Sequence, residues 1–343
     1  MNTRMITASA MIFALGASSA MAADVKLSGL VFGQYARHLS QTDTAGVSSK
    51  NRGEFGITRI YMNAEAKFSP KVKGKVVLES NTTQTTDTGH GSNSVFLKQA
   101  FGDYMVNDYA NVRFGLVGTP WIGFEEGIWG RRFISKVFVD SEGVVSSADK
   151  GVGVLLKIPN DFGDFHAAHV NGEGTTAVEK TGKNGRHKDS MARLTLSPMV
   201  KFEPLSGLKL HGYIHNGRAQ DGDNYLRDRV MGGVSYQHKR FHAMVSSFKA
   251  RTGAGVKNTR SKGYSLHGSL KLPLSLSAFS RYDFYDPDTE TSSDGRARTL
   301  WGVDYKVAEG VRISVNDQIV RQQLATNTSA NENRLFFQLE MKF

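Results

Sequence analysis

The chain ends on the stretch Leu335-Phe336-Phe337-Gln338-Leu339-Glu340-Met341-Lys342-Phe343. Every second residue from Leu335 to Phe343 is apolar, and the residues between them are polar apart from Phe336. This period of two predicts a β-strand with one apolar and one mostly polar face. Such a strand needs a large apolar surface to lie against, either in the core of a soluble sandwich or in a lipid bilayer.

The first residues have the pattern of an export signal. A short basic start, Met1–Arg4, precedes an apolar stretch from Met5 to Ala17, and Ala20-Met21-Ala22 places small residues at both positions of an A-x-A cleavage site. The apolar stretch is short and no charged stop follows it, which favours a signal peptide over a membrane anchor. We therefore predict a signal peptide over residues 1–22 and export of residues 23–343 through the periplasm.

Composition narrows the class of protein. The chain has no cysteine, which excludes disulfides, thiol catalysis and thiolate metal sites. Beyond the signal no apolar run approaches the roughly 20 residues of a spanning helix. With 36 glycines, 20 phenylalanines and 11 tyrosines but 7 prolines, an exported chain of this kind is typical of a transmembrane β-barrel. A large periplasmic or secreted all-β protein is the alternative.

Counting strands separates these two classes. Segments with alternating apolar and polar residues lie at 25–37, 57–68, 72–80, 95–106, 111–118, 151–158, 164–171, 191–198, 208–216, 229–237, 241–249, 264–272, 274–285, 298–307, 311–320 and 334–343. Short connections alternate with long ones along the whole series, as short periplasmic turns and long outer loops require. The sequence therefore predicts an all-β fold, a 16-stranded antiparallel transmembrane β-barrel over residues 23–343.

Basic residues dominate the face of the strands that would point inward. A barrel of this size keeps an aqueous interior. The predicted pore-lining and selectivity residues are Arg59, Lys73, Lys75, Arg113, Lys209, Lys271, Arg281 and Arg312. Lys67, Arg193 and Arg334 share this phase, and the in-facing carboxylates are Glu65, Glu79, Asp283, Asp304 and Glu340. An excess of fixed positive charge in a wet pore attracts anions. For Lys71 and Lys73, next to a turn, binding of lipid phosphates is the alternative.

The longest connection, Thr119–Lys150, is unusually aromatic for a loop. Its large rings are Trp121, Phe124, Trp129, Phe133 and Phe138, and its charged residues include Glu125, Glu126, Arg131, Arg132 and Lys136. Burying those rings favours a loop folded inward against the barrel wall, where its charges would lie at the narrowest point. We expect Glu125 and Glu126 to face Arg131, Arg132 and Lys136 across the pore and set a transverse field. A subunit contact or a cell-surface loop is the competing interpretation.

The segment Pro120-Trp121-Ile122-Gly123-Phe124-Glu125-Glu126-Gly127-Ile128-Trp129-Gly130-Arg131-Arg132-Phe133, the strand pattern, the export signal and the terminal Phe343 resemble Gram-negative outer-membrane porins. Within that group the chain is most similar to the superfamily of phosphate-selective porins, most sharply over residues 55–175. The resemblance implies a homotrimeric passive diffusion channel in outer-membrane lipid and lipopolysaccharide. It also implies that Phe343 serves as the assembly signal read by the barrel-assembly machinery.

The resemblance is incomplete at the pore. Phosphate channels of this superfamily have a ladder of arginines and a central lysine cluster, whereas Arg59, Arg113, Arg281 and Arg312 are spread over many strands here. An anion preference therefore carries over better than phosphate specificity. The expected solutes are small anionic or polar molecules.

Other functions receive weaker support from the residues. No G-x-S-x-G motif occurs, so no enzyme is predicted. His211 and His215 would face the lumen together, but no carboxylate is placed near them in the sequence, and we expect no metal and no cofactor. Lysines that alternate along strands form no exposed patch for nucleic acid. A barrel sleeve for a partner, such as a multihaem cytochrome, and a structural or adhesin barrel remain as alternatives to the porin.

Overall fold

The computed structural model describes residues 24–42, 48–49, 52–83, 92–172, 174, 188–217, 226–254, 257–323 and 329–343. The predicted signal peptide lies outside these residues. The sequence pattern of alternating residues is realised as a single meander of strands.

Sixteen strands of 8 to 19 residues follow one another in the described part of the chain. They are β1 (Asp24–Thr42), β2 (Gly53–Lys67), β3 (Val72–Thr83), β4 (Ser92–Asn107), β5 (Ala110–Gly118), β6 (Ala148–Ile158), β7 (Gly163–Val170), β8 (Asp189–Leu196), β9 (Leu208–Asn216), β10 (Arg229–Gln237), β11 (Phe241–Ala254), β12 (Lys257–Lys271), β13 (Leu276–Asp286), β14 (Arg296–Ala308), β15 (Val311–Gln323) and β16 (Ser329–Lys342). A two-residue segment, Ser48–Ser49, pairs with the end of β1.

The strands close into a ring. Each strand pairs antiparallel with its neighbours in the chain, and β16 returns to β1 with Leu30 opposite Lys342 and Tyr35 opposite Phe337. Closure leaves no unpaired sheet edge, which is what a membrane-spanning sheet requires. The predicted 16-stranded antiparallel barrel is confirmed.

Several strands extend further than the sequence pattern predicts. β12 begins at Lys257, seven residues before the predicted start at 264, and β1 continues to Thr42. Beyond the apolar belt both faces of a strand meet water, so the backbone ladder continues while the alternation disappears. Leu274, predicted to start a strand, instead lies in the preceding turn with a φ of 58°.

The alternation separates the two faces of the barrel wall. In β16, Phe337 is 47% exposed on the outside, whereas Gln338 and Glu340 are buried on the inside. The other outward side chains that are most exposed are also large and apolar: Leu27, Phe55, Met62, Val95, Phe114, Ile214 and Val230. An apolar belt of this extent around a closed barrel is the surface that lipid covers.

Among the described residues two short α-helices interrupt the run of strands, both between β5 and β6. They are α1 (Ile122–Trp129) and α2 (Phe138–Ser141). No helix among the described residues is long and apolar enough to cross a membrane.

Candidate functional site

The connection between β5 and β6, residues 119–147, is called the inner loop here. Its predicted C-terminal bound of 150 is too late, because Ala148 and Asp149 already pair with Gly118 and Val117 in the barrel wall. The apolar alternation is weak there, so the sequence marks the start of β6 poorly.

The rings of the inner loop lie on an apolar patch of the inner wall. From the loop, this cluster contains Trp121, Ile122, Ile128, Trp129, Phe133, Ile134, Val137 and Phe138. From the wall, it contains Phe32, Tyr213, Met231, Met244, Phe248, Phe279 and Leu300. The ring centroids of Trp129 and Phe279 are 6.0 Å apart, and those of Phe138 and Phe248 are 5.5 Å apart. These contacts place the inner loop inside the barrel.

Side chains of the wall hold the backbone of the inner loop by hydrogen bonds to its carbonyl groups. The donors and acceptors are Arg193 Nε to Pro120 O at 2.9 Å, Arg281 Nη1 to Lys136 O at 2.6 Å, Arg312 Nη2 to Gly130 O at 2.8 Å and Gln338 Nε2 to Ile134 O at 3.2 Å. Irregular backbone inside a barrel needs such partners because its carbonyls have no ladder to join. Three arginines of the inward face therefore anchor the loop.

Three charged residues of the inner loop face the wall, and one of them, Glu142, pairs with Arg296 of β14. Arg131 Nε lies 2.7 Å from Asp304 Oδ2, and both side chains are buried. Glu125 accepts a hydrogen bond of 2.7 Å from Trp121 Nε1 and one of 3.4 Å from Ser246 Oγ. Burial raises the pKa of Glu125 to about 7. The expectation that Glu125 and Arg131 set a field across the pore is therefore wrong for these two residues, which are used to dock the loop.

The remaining charges of the inner loop pair with one another. Arg132 Nε lies 2.5 Å from Glu126 Oε1, and its Nη2 lies 3.6 Å from Asp140 Oδ2. Asp140 is also 3.5 Å from Lys136 Nζ. Burial raises the pKa of Glu126 despite Arg132 beside it. Opposite charges that pair within one loop produce only a local electric field. The sequence predicts instead acidic and basic residues on opposite sides of the pore.

A cavity of about 390 Å³ lies between α1 and the inner face of β1 to β4. Its basic lining residues are Arg59, Lys75, Lys98, Arg132 and Lys342. Its acidic lining residues are Glu126, Asp140 and Glu340. Glu79, just behind the lining, is shared between Arg59 at 3.0 Å and Lys98 at 3.2 Å. With Glu79 counted, five basic side chains stand beside four acidic ones, and Lys75 also pairs with Glu65, outside the lining, at 2.7 Å.

The eight predicted pore-lining residues divide into three groups. Arg59 and Lys75 line the cavity, and they too have carboxylate partners, Glu79 at 3.0 Å and Glu65 at 2.7 Å. Arg113, Arg281 and Arg312 are neutralised by pairs with Asp103, Asp283 and Glu340 at 2.7, 2.6 and 2.6 Å. Lys73, Lys209 and Lys271 lie on the inward-facing side of their strands, and among the described residues no carboxylate is within salt-bridge distance of them.

Sequence reasoning missed three residues of the inner surface. Lys98 is the extra residue of a β-bulge, since Val77 pairs with Gln99 and Leu78 with Leu97, and the bulge turns its ammonium group to Glu79. Asp103 and Asp164 share the phase of the arginines with which they pair, Arg113 and Arg193. Asp103 lies directly opposite Arg113 on the neighbouring strand. Aligning the two predicted strands as an antiparallel pair would have revealed this ion pair.

The histidines of β9 have partners other than metal. His215 Nε2 lies 2.8 Å from Asp189 Oδ2, so the expectation that no carboxylate is near this pair of histidines is wrong. His211 lies between the hydroxyls of Thr195 and Ser235. Across the residues that the structure describes, no group of three or more possible ligands is placed to hold a metal ion.

Solved structures similar to this one are outer-membrane proteins. The outer membrane channel DcaP of Acinetobacter baumannii has 14% sequence identity and a TM-score of 0.63, with 94% of this chain and 98% of that chain covered. The anion-selective porin from Comamonas acidovorans has 13% identity and a TM-score of 0.64, with 94% and 100% covered. OmpT, an outer membrane protein of Vibrio cholerae, in its trimer form has 10% identity and a TM-score of 0.62, with 94% and 100% covered.

At these levels of identity the likeness shows the fold, which is the porin barrel over nearly the whole described chain. No protein-family model and no curated protein matches the sequence.

Proposed function

We propose that this protein is a passive diffusion channel of the Gram-negative outer membrane, through which small hydrophilic solutes pass with a preference for anions. One observation carries the proposal: a closed barrel, apolar outside, has a charged cavity beside a loop fixed within it. An apolar exterior suits lipid, and a charged interior suits water and ions. No energy input, cofactor or bond-making chemistry is implied.

The anion preference rests on the cavity. Five basic and three acidic side chains line it, and Glu79 behind the lining is a fourth carboxylate, shared by Arg59 and Lys98. Walls of low dielectric strengthen the field of the charge that is left over. The excess is smaller than the sequence indicates, because several arginines are paired with carboxylates. A moderate preference for anions, which salt weakens by screening, follows from these charges.

The inner loop fits the role of the constriction. Its apolar cluster, its buried ion pair and its hydrogen-bonded carbonyls hold it on one side of the interior. A loop in this position also argues against a sleeve for a partner protein, since it takes up space that the partner would need. The constriction residues that face the cavity are Glu126 and Arg132, together with Arg59 and Lys98 on the wall.

We further propose a homotrimer in outer-membrane lipid and lipopolysaccharide. The similar OmpT structure, which is a trimer form, supports this proposal. Phe343 lies at the seam, where its N–H donates to Gly29 O at 3.1 Å. A signal peptide at residues 1–22 and recognition of Phe343 by the barrel-assembly machinery belong to the same proposal.

The test is single-channel recording of purified, refolded protein in planar bilayers, combined with swelling of liposomes in neutral sugars of graded size. Stepwise conductance and a sharp size limit are expected. The control is protein unfolded by heat, which should neither conduct nor permeabilise liposomes. Folded protein that inserts without conducting would contradict a diffusion channel and favour a structural or adhesin barrel.

A further inference from the structure

The helix α1 of the inner loop has two very different faces. Ile122, Glu125, Ile128 and Trp129 are buried against the wall. Gly123, Gly127 and Gly130, spaced by four and three residues, are exposed on the other face. Since α1 lies inside the barrel, its exposed glycine face is turned to the open part of the interior, where Gly123 and Gly130 line the cavity.

Backbone conformation explains one of these three glycines. Gly130 ends α1 with a φ of 62°, in the left-handed region that favours glycine. Gly123 and Gly127 have no such φ. No described atom lies within 4 Å of a Cβ placed on either of them, so close packing does not require glycine there. A glycine within a helix costs about 1 kcal/mol relative to alanine.

The space above the glycine face is where solutes would pass. The cavity that Gly123 lines is also lined by Arg59 and Lys98, which share the single carboxylate of Glu79, and by Lys75, which pairs with Glu65. The apolar part of the lining comprises Leu30, Phe32, Val77 and Ile122. The cavity therefore combines cations with an apolar surface.

We propose that Gly123 and Gly127 are width-determining residues, and that the gap they leave admits organic carboxylates with an apolar body. This inference rests on the proposed function and names the solute class of the same site. A carboxylate would lie against the basic residues of the wall, while its hydrocarbon part would contact Val77 and Ile122. Phosphate has no apolar part to gain from that surface.

Leucine at these positions should narrow the channel without disturbing the fold. A leucine side chain at Gly123 occupies the volume of about four water molecules, roughly 120 Å³ at about 30 Å³ each, out of a cavity of about 390 Å³. The matched control is Gly212→Leu, because Gly212 lies on the outward face of β9 with nothing within 4 Å of its added Cβ. Gly127→Ala serves as a second variant that removes a helix-breaking glycine and adds one carbon.

The experiment measures single-channel conductance in potassium chloride and reversal potentials in potassium benzoate and potassium phosphate, well above the pKa of benzoate. Gly123→Leu and Gly127→Leu should lower the conductance about two-fold or more, and Gly212→Leu should leave it unchanged. Benzoate should permeate the wild type better than phosphate, and Gly123→Leu should reduce benzoate permeation more than that of chloride. Gly127→Ala should conduct nearly as the wild type and be slightly more resistant to heat.

Two outcomes overturn the inference while leaving the diffusion channel intact. One is a folded, heat-modifiable Gly123→Leu variant that conducts like the wild type, and the other is a wild type that prefers phosphate to benzoate. A wild type that does not conduct at all contradicts the proposed function itself. The wild-type trace in chloride therefore tells the two failures apart.

Discussion

The pair Arg131–Asp304 offers the sharpest test of how the inner loop is held. The guanidinium Nε is 2.7 Å from the carboxylate, and the side chains are 6% and 4% exposed. Arg131 also lies over the ring of Phe279, with its Cζ 5.1 Å from the centroid. We therefore predict that Asp304→Asn leaves a buried arginine without its counter-charge and weakens docking of the loop.

The magnitude follows from the burial of the pair. Removing one partner of a buried ion pair is destabilising by about 3–5 kcal/mol, whereas replacing both by apolar residues of similar volume is often neutral. At 1.4 kcal/mol for each factor of ten, the docked state of the loop should lose at least about 100-fold in population relative to the undocked state. The double variant Arg131→Met, Asp304→Leu should recover most of that loss.

Single-channel recording provides the assay. Asp304→Asn should give larger and noisier conductance steps than the wild type, because an undocked loop no longer narrows the interior, and the double variant should return to wild-type steps. Heat modifiability on gels checks that each barrel is folded. Equal conductance in all three proteins would refute the reasoning, and a double variant as perturbed as the single one would show that burial of charge is not what matters.

Three further predictions concern the inner loop. Arg132→Glu should lower anion preference, read as a shift in reversal potential, while Lys239→Glu on an exposed turn should not; an unchanged potential in Arg132→Glu would place this residue away from the narrowest point. Burial raises the pKa of Glu125 from 4.5 to about 7, so protonation of this carboxyl favours the docked loop. The stabilisation is fully present below pH 4.5 and is lost as the pH rises above 7. At 1.36 kcal/mol per pKa unit it contributes about 3 kcal/mol to docking. Wild-type conductance should therefore rise as pH passes through 7, and Glu125→Gln should abolish that rise; identical pH profiles would contradict it. Trp129→Ala should cost the docked loop about 3–5 kcal/mol and enlarge the conductance, whereas Trp301→Ala on the outer face should not, and equal effects would point to general destabilisation.

The barrel could be predicted from the sequence because period-two alternation is a local property. The alternation within each membrane strand indicates which face meets lipid, as the exposed Phe337 and the buried Gln338 show in β16. The start of β12 could not be predicted, because alternation disappears where both faces are wet. The bulge at Lys98 was also not predicted, because a single inserted residue reverses which of the following residues face inward.

The inner loop was predictable in its place but not in its contacts. Its aromatic content indicates burial, whereas the partners Asp304 and Ser246 are 173 and 121 residues away from Arg131 and Glu125. Pairing across such separations depends on closure of the ring, which no local pattern records. For this reason Arg281 and Arg312, predicted to face water, instead hold loop carbonyls.

The reversal potential of the wild-type protein under a potassium chloride gradient tests the central claim most directly. We expect stepwise conductance and a reversal potential of the sign that anion permeation gives. The potential should become smaller as the mean salt concentration rises, because screening weakens the field of the lining charges. A cation-favouring potential would contradict the assignment of Arg59, Lys75, Lys98 and Arg132 as the charges that solutes meet, and folded protein without conductance would contradict the channel itself.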